Sequence, residues 1–249
     1  MDDKIIEAKE IIHNSSSITV LTGAGISAES GIPTFRGEQG FWRQQRPEDI
    51  AIPQAFSRDP KFVWEWYDLR RQTIKEARPN SGHYAIVDLQ NQKSNFSLIT
   101  QNIDGLHQLA GSRHIIELHG NIWQIRCTKC GNVEENYEVP IKEIPPKCKK
   151  CRMLARPNVV WFGEMIPMAA IDRSLIAIEQ CELMLIVGTS GVVEPAASMG
   201  LVAKQTGKIV IEVNLEPTVN SHLYDLTIHG NSGEILPLLS KSEHIISHH

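Results

Sequence analysis

The chain has 249 residues, of which 41% are hydrophobic and 22% charged, with a net charge of -4. That length accommodates one large core or a large and a small domain, and the balance is that of a soluble globular protein. A net negative chain offers no global basic field for nucleic acid, and no apolar run reaches the ~18 residues of a membrane span. Met1-Asp2-Asp3-Lys4 has neither the basic nor the apolar region of a signal peptide, so the expected setting is the cytoplasm.

In chain order, a helix is predicted over residues 5–13 and a buried strand over 17–21, the β-branched run Ser17-Ile18-Thr19-Val20-Leu21. Asp59-Pro60 supplies a cap and a first turn for a helix over 61–77, and Asn80-Ser81 opens another that carries Tyr84, Val87 and Leu89. Short strands are predicted at 96–100 and 115–118, and a further one at 158–162. Beyond it come a helix over 167–180, a strand over 183–187, a helix over 195–205, a strand over 209–213 and a last helix over 233–239. Strands alternating with helices imply an α/β fold, a parallel sheet covered on both faces.

The segment after the first strand is Thr22-Gly23-Ala24-Gly25-Ile26-Ser27-Ala28-Glu29-Ser30-Gly31-Ile32-Pro33-Thr34-Phe35-Arg36. A strand running into Gly-x-Gly and a helix start cradles a pyrophosphate: glycines admit the backbone to the phosphates and helix N–H groups meet the charge. A dehydrogenase would continue with a full crossover helix and an acidic residue roughly 20 positions on. Here Ser30-Gly31-Ile32-Pro33 breaks the helix at once, which points to a dinucleotide clamped under a loop rather than held for hydride transfer.

Cys127-x-x-Cys130 and Cys148-x-x-Cys151 stand 17 residues apart, the spacing of a zinc ribbon. In a reducing compartment four such thiols read as a metal site rather than as two disulfides. Four thiolates close a tetrahedral shell, so the zinc would be structural. Cys181, beside an apolar run, reads as a buried small hydrophobe. Polar clusters follow several strands: Gln101-Asn102-Ile103-Asp104-Gly105, His119-Gly120, Gly188-Thr189-Ser190 and Asn214-Leu215-Glu216. In open α/β sheets ligands bind beyond the strand carboxyl ends, and these clusters would share one such edge.

With these segments in order, completed by Pro157-Asn158-Val159-Val160-Trp161-Phe162-Gly163-Glu164 and Gly233-Glu234-Ile235-Leu236-Pro237, the chain resembles the sirtuins over about residues 18–238. These are the Sir2-type NAD-dependent protein deacylases, and the likeness is to their bacterial, desuccinylase-type class III subgroup. It implies a Rossmann-like domain from residues 1–35, 82–124 and 157–249, a cofactor-loop and helical module at 36–81, and a zinc-ribbon module at 125–156. NAD would be a co-substrate: nicotinamide leaves the ribose as the acyl-lysine carbonyl oxygen attacks, giving free lysine, nicotinamide and an acyl-ADP-ribose. The resemblance makes His119 the general base, with Asn102 and Asp104 lining the nicotinamide pocket and Gln101 on the ribose. It assigns Gly23, Ala24, Gly25, Ser27, Ala28, Pro33, Thr34, Phe35, Arg36, Trp42 and Ile103 to the cofactor. Gly188, Thr189, Ser190, Asn214, Leu215, Glu216 and Ser232 would take its adenosine half. Val160, Phe162, Gly163 and Glu164 opposite Gly191, Val192 and Val193 look like two edges between which an extended acylated peptide adds as a strand. Many members carry Leu where Gly191 stands, which leaves peptide preference open there.

Tyr67 and Arg70, spaced i, i+3, share a helix face. In the desuccinylase-type subgroup a Tyr-x-x-Arg pair binds the distal carboxylate of an acidic acyl group, as a guanidinium and a phenol can. Taken alone, the pair reads better as a core tyrosine beside a solvated arginine, and only the family resemblance reverses that order. Two other functions stay open. ADP-ribosyl transfer to protein would use the same clamp, and a non-catalytic NAD- and zinc-binding module would have no need of His119. A monomer is expected, with no nucleic acid or membrane partner.

Overall fold

The continuous apolar runs of the sequence become the strands of a central sheet. The computed structural model describes residues 3–34 and 47–241. Helix α1 (Asp3–Asn14) leads into β1 (Ser17–Thr22), and after the single-turn α2 (Gly25–Ala28) come α3 (Pro47–Ile50), α4 (Pro53–Arg58), α5 (Pro60–Glu76) and α6 (Ser81–Gln92). Next are β2 (Asn95–Thr100), α7 (Leu106–Ala110) and β3 (Ile115–Glu117), then β4 (Gly120–Cys127), β5 (Val133–Glu135) and β6 (Ala155–Val159). The chain finishes with α8 (Met168–Gln180), β7 (Leu183–Val187), α9 (Ala196–Gln205), β8 (Ile209–Asn214), β9 (Leu226–His229) and α10 (Ser232–Ser240).

Six strands form a parallel sheet in the order β3-β2-β1-β7-β8-β9. The chain winds outward from β1 to one edge through β2 and to the other through β7, so a topological switch point lies between β1 and β7. Register aligns the carboxyl ends: Thr22 stands beside both Thr100 and Val187, and Val187 beside Val213. The four loops that follow therefore open on one edge.

Alternation along the strands divides the core in two. Ile18, Val20, Leu98, Leu185 and Ile211 pack against α1, α6 and α10 on one face. Leu21, Ile99, Met184, Ile186 and Val210 pack against α8 and α9 on the other. Thr19 points into that second face, where its hydroxyl donates to Ala177 O at 2.9 Å, which removes the cost of burying it. Cys181 is buried there, as expected of a small hydrophobe.

A second sheet, antiparallel and in the order β5-β4-β6, stands apart. Its core joins Ile122, Ile125, Ala155 and Val159 to Val63, Trp64 and Tyr67 of α5. Asp59 caps α5 by accepting from Phe62 N at 3.0 Å, as the Asp-Pro pair predicts. The strand expected at 158–162 lies instead at Ala155–Val159 and pairs antiparallel with β4. Its polar, proline-containing run Ala155-Arg156-Pro157-Asn158-Val159 hides a strand that gains its partners only from β4.

Candidate active site

Backbone contacts set the floor of the site. Gly23 N donates to Val187 O at 3.0 Å and Gly25 N to Gly188 O at 2.9 Å, while Gly188 N donates to Val213 O at 3.0 Å. The loops after β1, β7 and β8 are thus laced together at the switch point. Asn214 Nδ2 donates to Thr189 O at 2.7 Å and steadies the outer pair.

The loop after β2 is tied to the loop after β1 by side chains. Asn102 Nδ2 donates to Gly23 O at 3.0 Å and to Ser27 Oγ at 3.1 Å, and Ser27 Oγ donates to Asp104 Oδ2 at 2.8 Å. Asp104 Oδ1 accepts from Leu106 N at 2.8 Å. Burial pushes the Asp104 carboxyl above the usual carboxylate range, against the Leu106 and Ser27 donors that favour its anion.

His119, just past β3, places Nδ1 2.9 Å from Gln101 O. A carbonyl oxygen only accepts, so Nδ1 carries the hydrogen and Nε2 of the neutral ring keeps its lone pair. Burial lowers the imidazole pKa, with the Gln101 contact opposing the shift. Neutral His119 is therefore the resident form near pH 7, ready to accept a proton at Nε2.

Behind these loops lies a buried histidine pair. His107 Nε2 is 2.9 Å from Thr22 Oγ1, which donates to Thr100 Oγ1 at 2.9 Å, and Thr100 Oγ1 accepts from Asn102 N at 3.0 Å. The His83 ring lies 4.9 Å from that of His107, and its Nδ1 accepts from Asn80 N at 3.3 Å. Asn80 caps α6 and donates through Nδ2 to Ile26 O at 2.7 Å, so the cap also holds α2.

A cavity of about 650 Å³ runs across this edge and under the small sheet. From the first loop it is lined by Gly23, Ala24, Gly25, Ala28 and Thr34, and from the second by Gln101, Asn102 and Ile103. His119, Gly188, Thr189, Ser190, Asn214, Leu215, Glu216 and Ser232 continue the wall, and Tyr67, Arg70, Val160, Phe162, Gly163, Glu164 and Val193 complete the expected set. Ser27 and Asp104 stand behind that wall through the hydrogen bonds above. Gly191 borders a small adjoining hollow with Tyr224, and Val192 is 51% exposed. Pro33 is outside the lining, and Phe35, Arg36 and Trp42 lie outside the described residues.

Several lining residues were not among the site residues expected from the sequence: Glu29, Glu48, Ala51, Trp161, Glu194, Pro217, Thr218 and Asn231. Asn231 adjoins Ser232, and Pro217 and Thr218 adjoin Glu216, so chain proximity was a usable signal for those three. Glu29 reaches across the chain, where Oε2 accepts from Ser232 Oγ at 3.0 Å and Gly233 N at 2.7 Å. A carboxylate at the start of α10 is a favourable partner for the helix dipole.

Tyr67 and Arg70 are both 2% exposed on the buried face of α5. Burial pushes the Tyr67 hydroxyl up to about 12, opposed by the Arg70 charge. Burial likewise lowers Arg70 to about 10, where it is still a cation at neutral pH.

The four paired cysteines converge. Their Sγ atoms all lie within 4.8 Å of one another, with Cys127–Cys151 at 3.3 Å and Cys130–Cys148 at 3.8 Å. Thiolates ~3.8 Å apart are what a tetrahedral zinc with ~2.3 Å bonds requires. Lys129 N and Cys130 N each point at Cys127 Sγ from 3.4 Å, as donors that support a thiolate ligand. The residues fit a structural zinc ion.

The parallel sheet, its laced glycine loops and the polar edge beyond them define a dinucleotide-binding α/β enzyme fold carrying a cysteine-rich module. The Sir2 family model matches residues 23–195, and the chain belongs to that family. An NAD-dependent protein deacylase of Aquifex aeolicus is 55% identical over 210 residues, spanning 84% of this chain and 88% of that protein. A Sir2 homologue solved as its NAD complex superposes with a TM-score of 0.89 at 45% identity, over 96% of this chain and 93% of its own. A Sir2 protein solved with a deacetylated p53 peptide and 3′-O-acetyl ADP-ribose gives 0.83 at 32% identity, over 94% of this chain and 96% of its own.

Proposed function

We propose that this chain is an NAD-dependent protein-lysine deacylase that removes acetyl groups and also acyl groups ending in a carboxylate, such as succinyl and malonyl. The acidic-acyl part is carried by one observation: Tyr67 and Arg70, both buried, line the cavity that His119 and Asn102 also line. A planar guanidinium and a phenol in a dry pocket recognise a carboxylate and give nothing extra to a methyl group.

Bound NAD supplies an electrophilic ribose carbon whose nicotinamide is already a good leaving group. The protein's task is then positioning and exclusion of water rather than acid catalysis. The backbone at Gly23, Ala24 and Gly25 would meet the phosphates, and Thr189, Ser190, Asn214, Glu216 and Ser232 the adenosine half. Asn102, fixed at both its side-chain nitrogen and its backbone N–H, would orient the nicotinamide end with Asp104 behind it. His119 Nε2 would take the proton of a ribose hydroxyl. An extended peptide would add as a strand between residues 162–164 and 191–193. Four thiolates leave a bound zinc no open position, so it would stabilise the small module.

The test is incubation with NAD and two peptides identical except for acetyl- or succinyl-lysine, with products followed by mass spectrometry. NAD-dependent loss of both acyl groups is expected, with acyl-ADP-ribose released. Arg70→Met should cut succinyl removal far more than acetyl removal, and equal losses would remove the acidic-acyl part. Label from NAD appearing on protein, without acyl-ADP-ribose, would move the reading to ADP-ribosyl transfer.

A further inference from the structure

Trp161 follows β6 and is buried to 3% exposure. Its indole N–H donates to Tyr67 Oη at 2.9 Å, across 94 positions of the chain. An indole nitrogen is a donor only, so the phenol oxygen must accept from it. The single phenol hydrogen stays near the ring plane and is turned to the other side. Tyr67 is then left to donate, and not to accept, toward whatever fills the cavity it lines.

Trp161 is itself held on several sides. The Arg156 guanidinium lies 3.4 Å from its ring centroid, and Phe56 packs at 5.2 Å. Arg156 is gripped by Glu164 through two bonds of 2.6 and 2.9 Å. Glu164 Oε2 also accepts from Trp161 N at 2.9 Å. Turning the indole away from Tyr67 would forfeit its stacking on Arg156 and Phe56, so the phenol's orientation is settled before any acyl group arrives.

We propose that Trp161 is a specificity-determining positioning residue: by fixing Tyr67 as a donor it makes the acyl end of the cavity, with Arg70, a site of donors only. A terminal carboxylate accepts from both. A terminal amide of the same size brings an NH2 group against donors and loses a bond there. An acetyl group ends before either contact. The inference rests on the acidic-acyl reading above and extends it to a neutral isostere that size alone could not exclude.

The experiment measures kcat and KM on three peptides alike except for succinyl-lysine, its terminal-amide isostere, and acetyl-lysine. It compares the unmodified protein with Trp161→Phe, Tyr67→Phe and the double variant. The unmodified protein should favour succinyl over the amide roughly tenfold or more in kcat/KM. Trp161→Phe frees Tyr67 to accept, and should narrow that ratio roughly tenfold, chiefly through KM. In the Tyr67→Phe background the same change should shift the ratio less than about twofold, because the effect passes through the phenol.

An unchanged ratio in Trp161→Phe, equal losses on all three peptides, or an equal effect without the phenol would overturn the proposal. If Arg70→Met still strikes succinyl selectively in that case, the acidic-acyl reading stands alone. If the unmodified protein does not prefer succinyl to its amide and Arg70→Met lowers acetyl and succinyl alike, both fall. Should Trp161→Phe fail to fold, benzothienylalanine at position 161 keeps the bicyclic shape, lacks only the N–H donor, and decides the question.

Discussion

Ser27 and Asp104, 77 positions apart, share a 2.8 Å hydrogen bond that joins the loop after β1 to the loop after β2. Ser27 also accepts from Asn102, so one hydroxyl orients the two polar residues proposed for the nicotinamide end. Ser27→Ala should leave the Asn102 side-chain amide with only Gly23 O as an acceptor and take a donor from a buried carboxyl. Loss of such a bond costs ~1–3 kcal/mol, and the expected result is a roughly tenfold fall in nicotinamide exchange with a small change in Tm. A variant exchanging at the unmodified rate would show the bond to be structural only.

His119 offers Nε2 as a base because Gln101 O holds Nδ1–H. Its pKa is lowered from 6.5, mainly by burial, so the neutral form persists as pH falls below that value. Acyl-ADP-ribose formation should therefore persist further into acid solution than an imidazole titrating at its ordinary value would allow. His119→Ala should lower it by ~100-fold or more. A profile already falling at pH 7 would contradict the placement.

The histidine pair behind the site makes an acid-sensitive link between the capping residue Asn80 and Thr22 at the end of β1. Burial lowers His83 to about 4 and His107 to about 3, both from 6.5. Between those values the unfolded chain binds protons that the folded protein refuses, so stability falls as pH drops through that window. At pH 5 each group would cost about 2 kcal/mol relative to neutral pH. Urea midpoints should therefore fall more steeply from pH 7 to 5 in the unmodified protein than in His107→Asn. Equal slopes would show that His107 protonates normally.

The zinc expectation concerns the small sheet. β5 has three residues, and Lys147 meets Leu154 in an isolated bridge, too little backbone pairing to order this module unaided. Thiol titration with a mercurial should release one zinc per chain. Cys148→Ala should raise hydrogen exchange over residues 127–155 while leaving β1, β7 and β8 protected. Unchanged exchange would mean that packing alone holds the module.

The central sheet was legible because Leu183-Met184-Leu185-Ile186-Val187 and its parallel neighbours are buried on both faces and read as unbroken apolar runs. Asn80 and Asp59 marked their helix starts by capping chemistry that acts within three residues. β6 was not legible in place, since Arg156-Pro157-Asn158 carries no apolar period, whereas β4 was overlooked although Trp123-Gln124-Ile125-Arg126-Cys127 alternates apolar and polar residues. The short β5 and β9 also went unassigned. In the site, the loop residues announced themselves as polar clusters after strands. What sequence could not supply was contact at long range, such as Trp161 with Tyr67 or Glu29 with Ser232, because those pairs meet only once the chain has folded.

Gly23, Gly25 and Gly188 meet where the first loop crosses the seventh strand's exit. A methyl group built on Gly25 would sit 2.7 Å from Gly188 Cα, one on Gly188 2.6 Å from Ile26 N, and one on Gly23 2.7 Å from Gly188 O. Each obstacle is main chain, so no neighbouring side chain can shrink to make room, and Gly188 at φ +60° is barred to most residues besides. A library randomised at all three positions and selected for folding should return glycine three times over, with no compensating pairs. The clamp can be retuned through its walls but not at its crossing.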